Sequence, residues 1–132
     1  MLKGIGHLGI VVKEMEKSLE ALSKIIDFER PAIKEFPDKK MRCALVETKG
    51  ASIEFIQDNS DDGPMARFSR EKGDAIHHFC LVSDNIEEDV EALKKRGVEM
   101  LDQKPRIGLR GKKIAMTLPS AMNGIIIELS EP

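Results

Sequence analysis

The sequence predicts an α+β fold, two tandem β-α-β-β-β modules forming a curved, mostly antiparallel sheet, and three observations carry that expectation. A gapless shift of 71 positions lays His7 on His78, Glu20 on Glu91, Ala21 on Ala92 and Leu22 on Leu93. In each copy a β-rich run holding the histidine leads into an apolar stripe of helical period. Each copy also closes on an apolar strand with one glutamate, Ile53-Glu54-Phe55-Ile56 and Ile125-Ile126-Ile127-Glu128-Leu129, at histidine-to-glutamate separations of 47 and 50 residues. A chain of 132 residues is a single domain's worth, with module one expected over about 1–62 and module two over about 63–132.

Gly4 to Val12 is a short β-rich run in which alternation puts His7, Gly9 and Val11 on one face and Leu8, Ile10 and Val12 on the other. Met15, Leu19, Leu22 and Ile26 then recur at helical spacing, with Glu16, Lys17, Glu20, Ser23 and Lys24 on the wet side and an end near Asp27. Phe28 to Phe36 is extended, because Pro31 cannot continue a helix, and Pro37-Asp38-Lys39-Lys40 is a turn. Met41–Thr48 and Ala51–Gln57 form a hairpin about Lys49-Gly50. A polar loop follows to Gly63, and Pro64 opens a short helix through Lys72.

The second copy repeats the order. Ala75–Val82 is a strand, Ser83-Asp84-Asn85 supplies helix caps, and Ile86, Val90 and Leu93 form the buried stripe of a helix closed by Arg96-Gly97. Val98–Leu101 is expected as a short strand, Pro105–Gly111 as a loop, Lys112–Thr117 as a strand, Pro119–Gly124 as a turn and Ile125–Leu129 as the last strand.

Composition excludes several classes of function. The 21 basic and 23 acidic residues are interspersed, so there is no basic stripe for nucleic acid. Phe is the only aromatic, which leaves no Trp or Tyr for base stacking. No apolar run approaches the length of a membrane span and no signal-peptide pattern opens the chain. Cys43 and Cys80 lack C-x-x-C spacing and read as buried free thiols, so a cytoplasmic location is expected.

A lone strand histidine is commonly a core residue, and a lone strand glutamate usually faces water. Finding both types at matched positions in both copies favours a ligand set instead: His7, Glu54, His78 and Glu128 around one divalent ion, with Co, Ni, Zn, Mn or Mg all compatible. Four such ligands leave two octahedral positions for water or substrate. His77 alternates onto the face of Phe79 and Leu81 and is read as structural or as a support behind the ligands.

The runs His7-Leu8-Gly9-Ile10-Val11-Val12, Glu54-Phe55-Ile56, His77 to Val82 and Ile127-Glu128-Leu129 resemble the vicinal oxygen chelate superfamily, the glyoxalase/bleomycin resistance/dioxygenase group. Within it, Pro64 to Phe68, Gly73 to His78, Leu93 to Val98 and Gly108 to Lys113 are most similar to methylmalonyl-CoA epimerase. The resemblance implies a homodimer, an acyl-CoA or thiol-adduct substrate, and α-proton abstraction through a metal-stabilised enediolate. Glu128, a ligand able to leave the metal, would be the base. Cys43 stands where some family epimerases carry a second glutamate, and Glu47 is the candidate substitute. Thr117-Leu118-Pro119-Ser120 stands where the epimerase pattern has His-Pro-Lys. Arg106, Arg110, Lys112 and Lys113 are candidates to meet an anionic CoA or glutathione group, with a solvated basic hairpin as the alternative. The same resemblance leaves open a glyoxalase I-type lactoylglutathione lyase and a non-catalytic, resistance-type binding protein.

Overall fold

A computed structural model describes residues Met1–Pro132. The order is β1 (Leu2–Val11), α1 (Met15–Ser23), β2 (Lys34–Phe36), β3 (Met41–Val46), β4 (Ser52–Asp58), α2 (Pro64–Lys72), β5 (Ala75–Ser83), α3 (Ile86–Lys95), β6 (Arg106–Ile107), β7 (Lys113–Met116) and β8 (Ile126–Ser130). This α+β order is β-α-β-β-β twice, with α2 between the copies. The chain forms two compact units, Leu8–His77, and Met1–His7 together with His78–Pro132. Their borders fall inside β1 and β5, immediately beside the two aligned histidines.

In the unit Leu8–His77 the strand order is β2-β3-β4-β1. β3 pairs antiparallel with both β2 and β4, from Met41↔Asp58 to Val46↔Ile53. The connection therefore covers more than the two-residue turn expected at Lys49-Gly50: the Thr48 hydroxyl donates to the Ala51 carbonyl, and Gly50 takes φ +96°. Met15 and Leu19 of α1 are fully buried and pack with Val12, Ala44, Val46 and Phe55 into one core. The helix stops at Ser23, short of Asp27, where Ile25 and Ile26 turn back with amides bonded to the Leu22 carbonyl. Its first amide, Met15 N, is capped by Gln57 Oε1 at 2.8 Å, so a β4 side chain does what Glu14 does not. α2 opens on Pro64 and is tied to β4 by Ala66 N donating to Asp58 Oδ2 at 3.0 Å.

In the other unit the order is β1-β5-β8-β7-β6. β5 and β8 run parallel, with Cys80 opposite Glu128 and Leu81 opposite Leu129, whereas β7–β8 and β6–β7 are antiparallel. α3 starts at Asn85, whose side chain accepts from Glu88 N at 3.2 Å, and buries Ile86 and Val90 against Met100, Ala115 and Leu129. The strand expected at Val98–Leu101 reduces to one bridge, Met100↔Thr117. Asp102 Oδ2 takes the Met116 amide at 2.8 Å, so a side chain replaces the backbone partner and ends the pairing. The strand of this module is instead β6, inside the stretch expected as loop. No helix is long and apolar enough to cross a membrane.

Candidate functional site

Parallel pairing of β5 with β8 sets three side chains on one face of the second unit: His78 and Cys80, two residues apart, and Glu128, in register with Cys80. His7, at the end of the β1 segment in this unit, faces them. His7 Nε2 lies 3.2 Å from His78 Nε2 and 3.3 Å from Glu128 Oε1, and His78 Nε2 lies 3.8 Å from Glu128 Oε2. The rings meet edge to face with centroids 5.3 Å apart. All three residues are buried, His78 at 1% exposure.

Burial by itself raises the pKa of the Glu128 carboxyl, but the hydrogen bond from His7, the neighbouring His78 and the Cys80 thiol outweigh it and hold the group below its ordinary value. Two imidazole nitrogens and a carboxylate thus converge from three strands, in a buried cluster. That donor set fits a divalent first-row ion. A fourth polar group, the Cys80 thiol, belongs to the same cluster: a nitrogen of His7, Cys80 Sγ and a Glu128 oxygen lie within 4.8 Å of one another.

The β6–β7 hairpin contributes Arg110, with Nη2 3.2 Å from His7 Nδ1. Two glycines shape this hairpin. A Cβ at Gly108 would lie 2.9 Å from Ile114 Cδ1, and Gly111 sits at φ +80°. Guanidinium can only donate, so Nδ1 accepts and a neutral His7 carries its proton on Nε2, toward Glu128. Binding an ion through Nε2 therefore requires Arg110 to release Nδ1.

The remaining candidates are placed as follows. Glu54 is buried in β4 opposite Leu45, within the unit Leu8–His77, and the solvated-face alternative is excluded for it. Glu47 is exposed just beyond the end of β3. Cys43 is buried in β3. Lys113 does not join the cluster: it lies on the α3 side of the sheet, where Nζ pairs with Glu87. Arg106 is held by Asp102, with Nε to Oδ1 at 2.8 Å, and Lys112 is exposed on the hairpin. Leu118 N bonds to the Glu99 carbonyl. His77 packs edge to face on Phe68, with ring centroids 4.9 Å apart. Cys80 is the site residue that sequence reasoning missed, although alternation from His78 puts it on the same face.

Comparison with known proteins agrees with this architecture. The chain is 27% identical over 128 residues to the uncharacterized protein YqjC of Bacillus subtilis, covering 97% of this chain and 91% of the relative. It is 26% identical over 132 residues to the mitochondrial methylmalonyl-CoA epimerase of Dictyostelium discoideum, covering 97% and 80%. The crystal structure of methylmalonyl-CoA epimerase from Mycobacterium tuberculosis superposes with a TM-score of 0.88 at 22% identity, over 99% of this chain and 89% of that one. Residues 6–116 match the Glyoxalase/Bleomycin resistance protein/Dioxygenase superfamily, and the chain belongs to that superfamily.

Proposed function

We propose that this protein is a metal-dependent epimerase of a methylmalonyl-CoA-like acyl-CoA. The observation that carries the reading is the buried convergence of His7, His78 and Glu128. The epimerase among its relatives supports the substrate class. His7, His78 and Glu128 would hold the ion, with Glu54 the fourth ligand because it occupies in the first copy the place of Glu128 in the second. The bound ion would supply Lewis-acid polarisation of the thioester carbonyl.

The chain's own residues do the rest. Glu128 is buried and held ionised, so its carboxylate is ready to take the α-hydrogen once the substrate carbonyl is polarised. Inversion then needs a proton delivered to the other face, for which Glu47 is the proposed group. Arg110, half-buried at the rim of the cluster, meets an anionic oxygen of the substrate after leaving His7 Nδ1. Closely packed strands exclude bulk water around Glu128, which keeps its charge available to a reacting group rather than to solvent.

Loading the protein with a divalent ion and incubating it with methylmalonyl-CoA in deuterated water tests the reading. Deuterium should enter the α-position, and Glu128→Gln should slow that entry by about 100-fold or more. Glu47→Gln should retain exchange while slowing inversion, and unchanged inversion would remove Glu47 from the mechanism. No exchange with any ion, together with thioester formation from methylglyoxal and a thiol, would replace the epimerase by a lyase.

A further inference from the structure

The Cys80 thiol sits among the proposed ligands, yet the proposed metal set does not include it. Its Sγ, a nitrogen of His7 and an oxygen of Glu128 all lie within 4.8 Å of one another, and all three residues are buried. The position is built rather than incidental. Alternation on β5 puts Cys80 on the face of His78, and the parallel register sets it directly opposite Glu128. On the β1 side the neighbour is Gly6, where a Cβ would approach Cys80 Sγ to 3.7 Å and Val82 Cγ2 to 2.9 Å. The absence of a side chain there leaves the sulfur lodged between β1 and the Glu128 carboxylate.

We propose that His7, Cys80 and Glu128 form a second ligand set, sharing two donors with the His7–His78–Glu128 set and selecting thiophilic ions. The chemistry of the donors separates the two. Imidazole and carboxylate accept Mn2+, Co2+ or Mg2+, whereas a thiolate donor favours the soft end, Zn2+ and Cd2+. An ion held through sulfur recruits His7 and Glu128 away from the position that also uses His78. The same pocket then takes one kind of ion for its proposed chemistry and another that blocks it. This deepens the reading of the cluster as a metal centre and rests on it, but it does not depend on the substrate.

The test uses the full chain titrated with Cd2+ while sulfur-to-cadmium charge-transfer absorption is followed in the ultraviolet. The band should reach its limit at one equivalent in the wild type and in Cys43→Ser, and be lost in Cys80→Ser. Cys80→Ser should still bind Mn2+ with an affinity within about threefold of wild type, since the shared nitrogen and oxygen donors remain. Zinc-edge X-ray absorption of the wild-type protein, which needs no folded variant, should show one sulfur at about 2.3 Å. A wild-type protein that binds zinc through nitrogen and oxygen alone, or a band that survives Cys80→Ser or disappears in Cys43→Ser, would overturn the proposal. A sulfur band with no exchange on methylmalonyl-CoA would instead overturn only the epimerase.

Discussion

At Glu128 two opposing effects decide the chemistry. Burial disfavours its charge, and the two histidines with the Cys80 thiol favour it by more, so the folded-state pKa lies below the ordinary 4.5. A depressed carboxyl contributes stability above its unfolded-state value and loses it as pH falls through the folded one. Metal-free wild-type protein should therefore lose stability on acidification below about pH 4.5 more steeply than Glu128→Gln, as read from denaturant midpoints at several pH values. Arg110 meets His7 at Nδ1, the ring nitrogen opposite the proposed ligand atom Nε2. Arg110→Ala should leave metal content unchanged and raise KM for an anionic substrate about tenfold, the scale of one charge-assisted hydrogen bond. Loss of metal from that variant would show Arg110 to be holding His7 in place instead.

Among the elements, the parallel β5–β8 pair matters most, because it alone puts two residues of β5 beside a β8 carboxylate. Much of this was legible beforehand. The 71-residue repeat separates His78 from its neighbour His77, and the structure places the former in the cluster and the latter against Phe68. Other details lay in side chains acting across elements, which strand and helix periods do not encode. Gln57 caps α1, and Asp102 takes the Met116 amide where a strand was expected. Cys80 escapes the sequence pattern for a related reason: a cysteine in an apolar run has the pattern of core, and its place beside Glu128 depends on the parallel register. Two substitutions probe the elements directly. Asn85→Ala should cost about 1 kcal/mol through loss of the α3 cap. Gly6→Ala should cost about 1–3 kcal/mol, because its Cβ would press on Val82. Equilibrium unfolding with an unchanged m-value checks both.

For the whole molecule, the unit borders at His7/Leu8 and His77/His78 carry a consequence. The cluster of His7, His78 and Glu128 draws both segments of its unit together, Met1–His7 with His78–Pro132, so an ion bound there reinforces a contact between distant parts of the chain. At a free concentration one hundred times its dissociation constant, such an ion should stabilise the fold by about 2.7 kcal/mol. A chelator should reverse the accompanying rise in melting temperature, and His7→Ala should abolish it. The measurement that bears most directly on the metal centre is an anomalous difference map from crystals of protein loaded with Mn2+ or Co2+. One peak within bonding distance of His7 Nε2, His78 Nε2 and a Glu128 oxygen is the predicted result. A fully loaded protein whose peak lies away from these three atoms would contradict it.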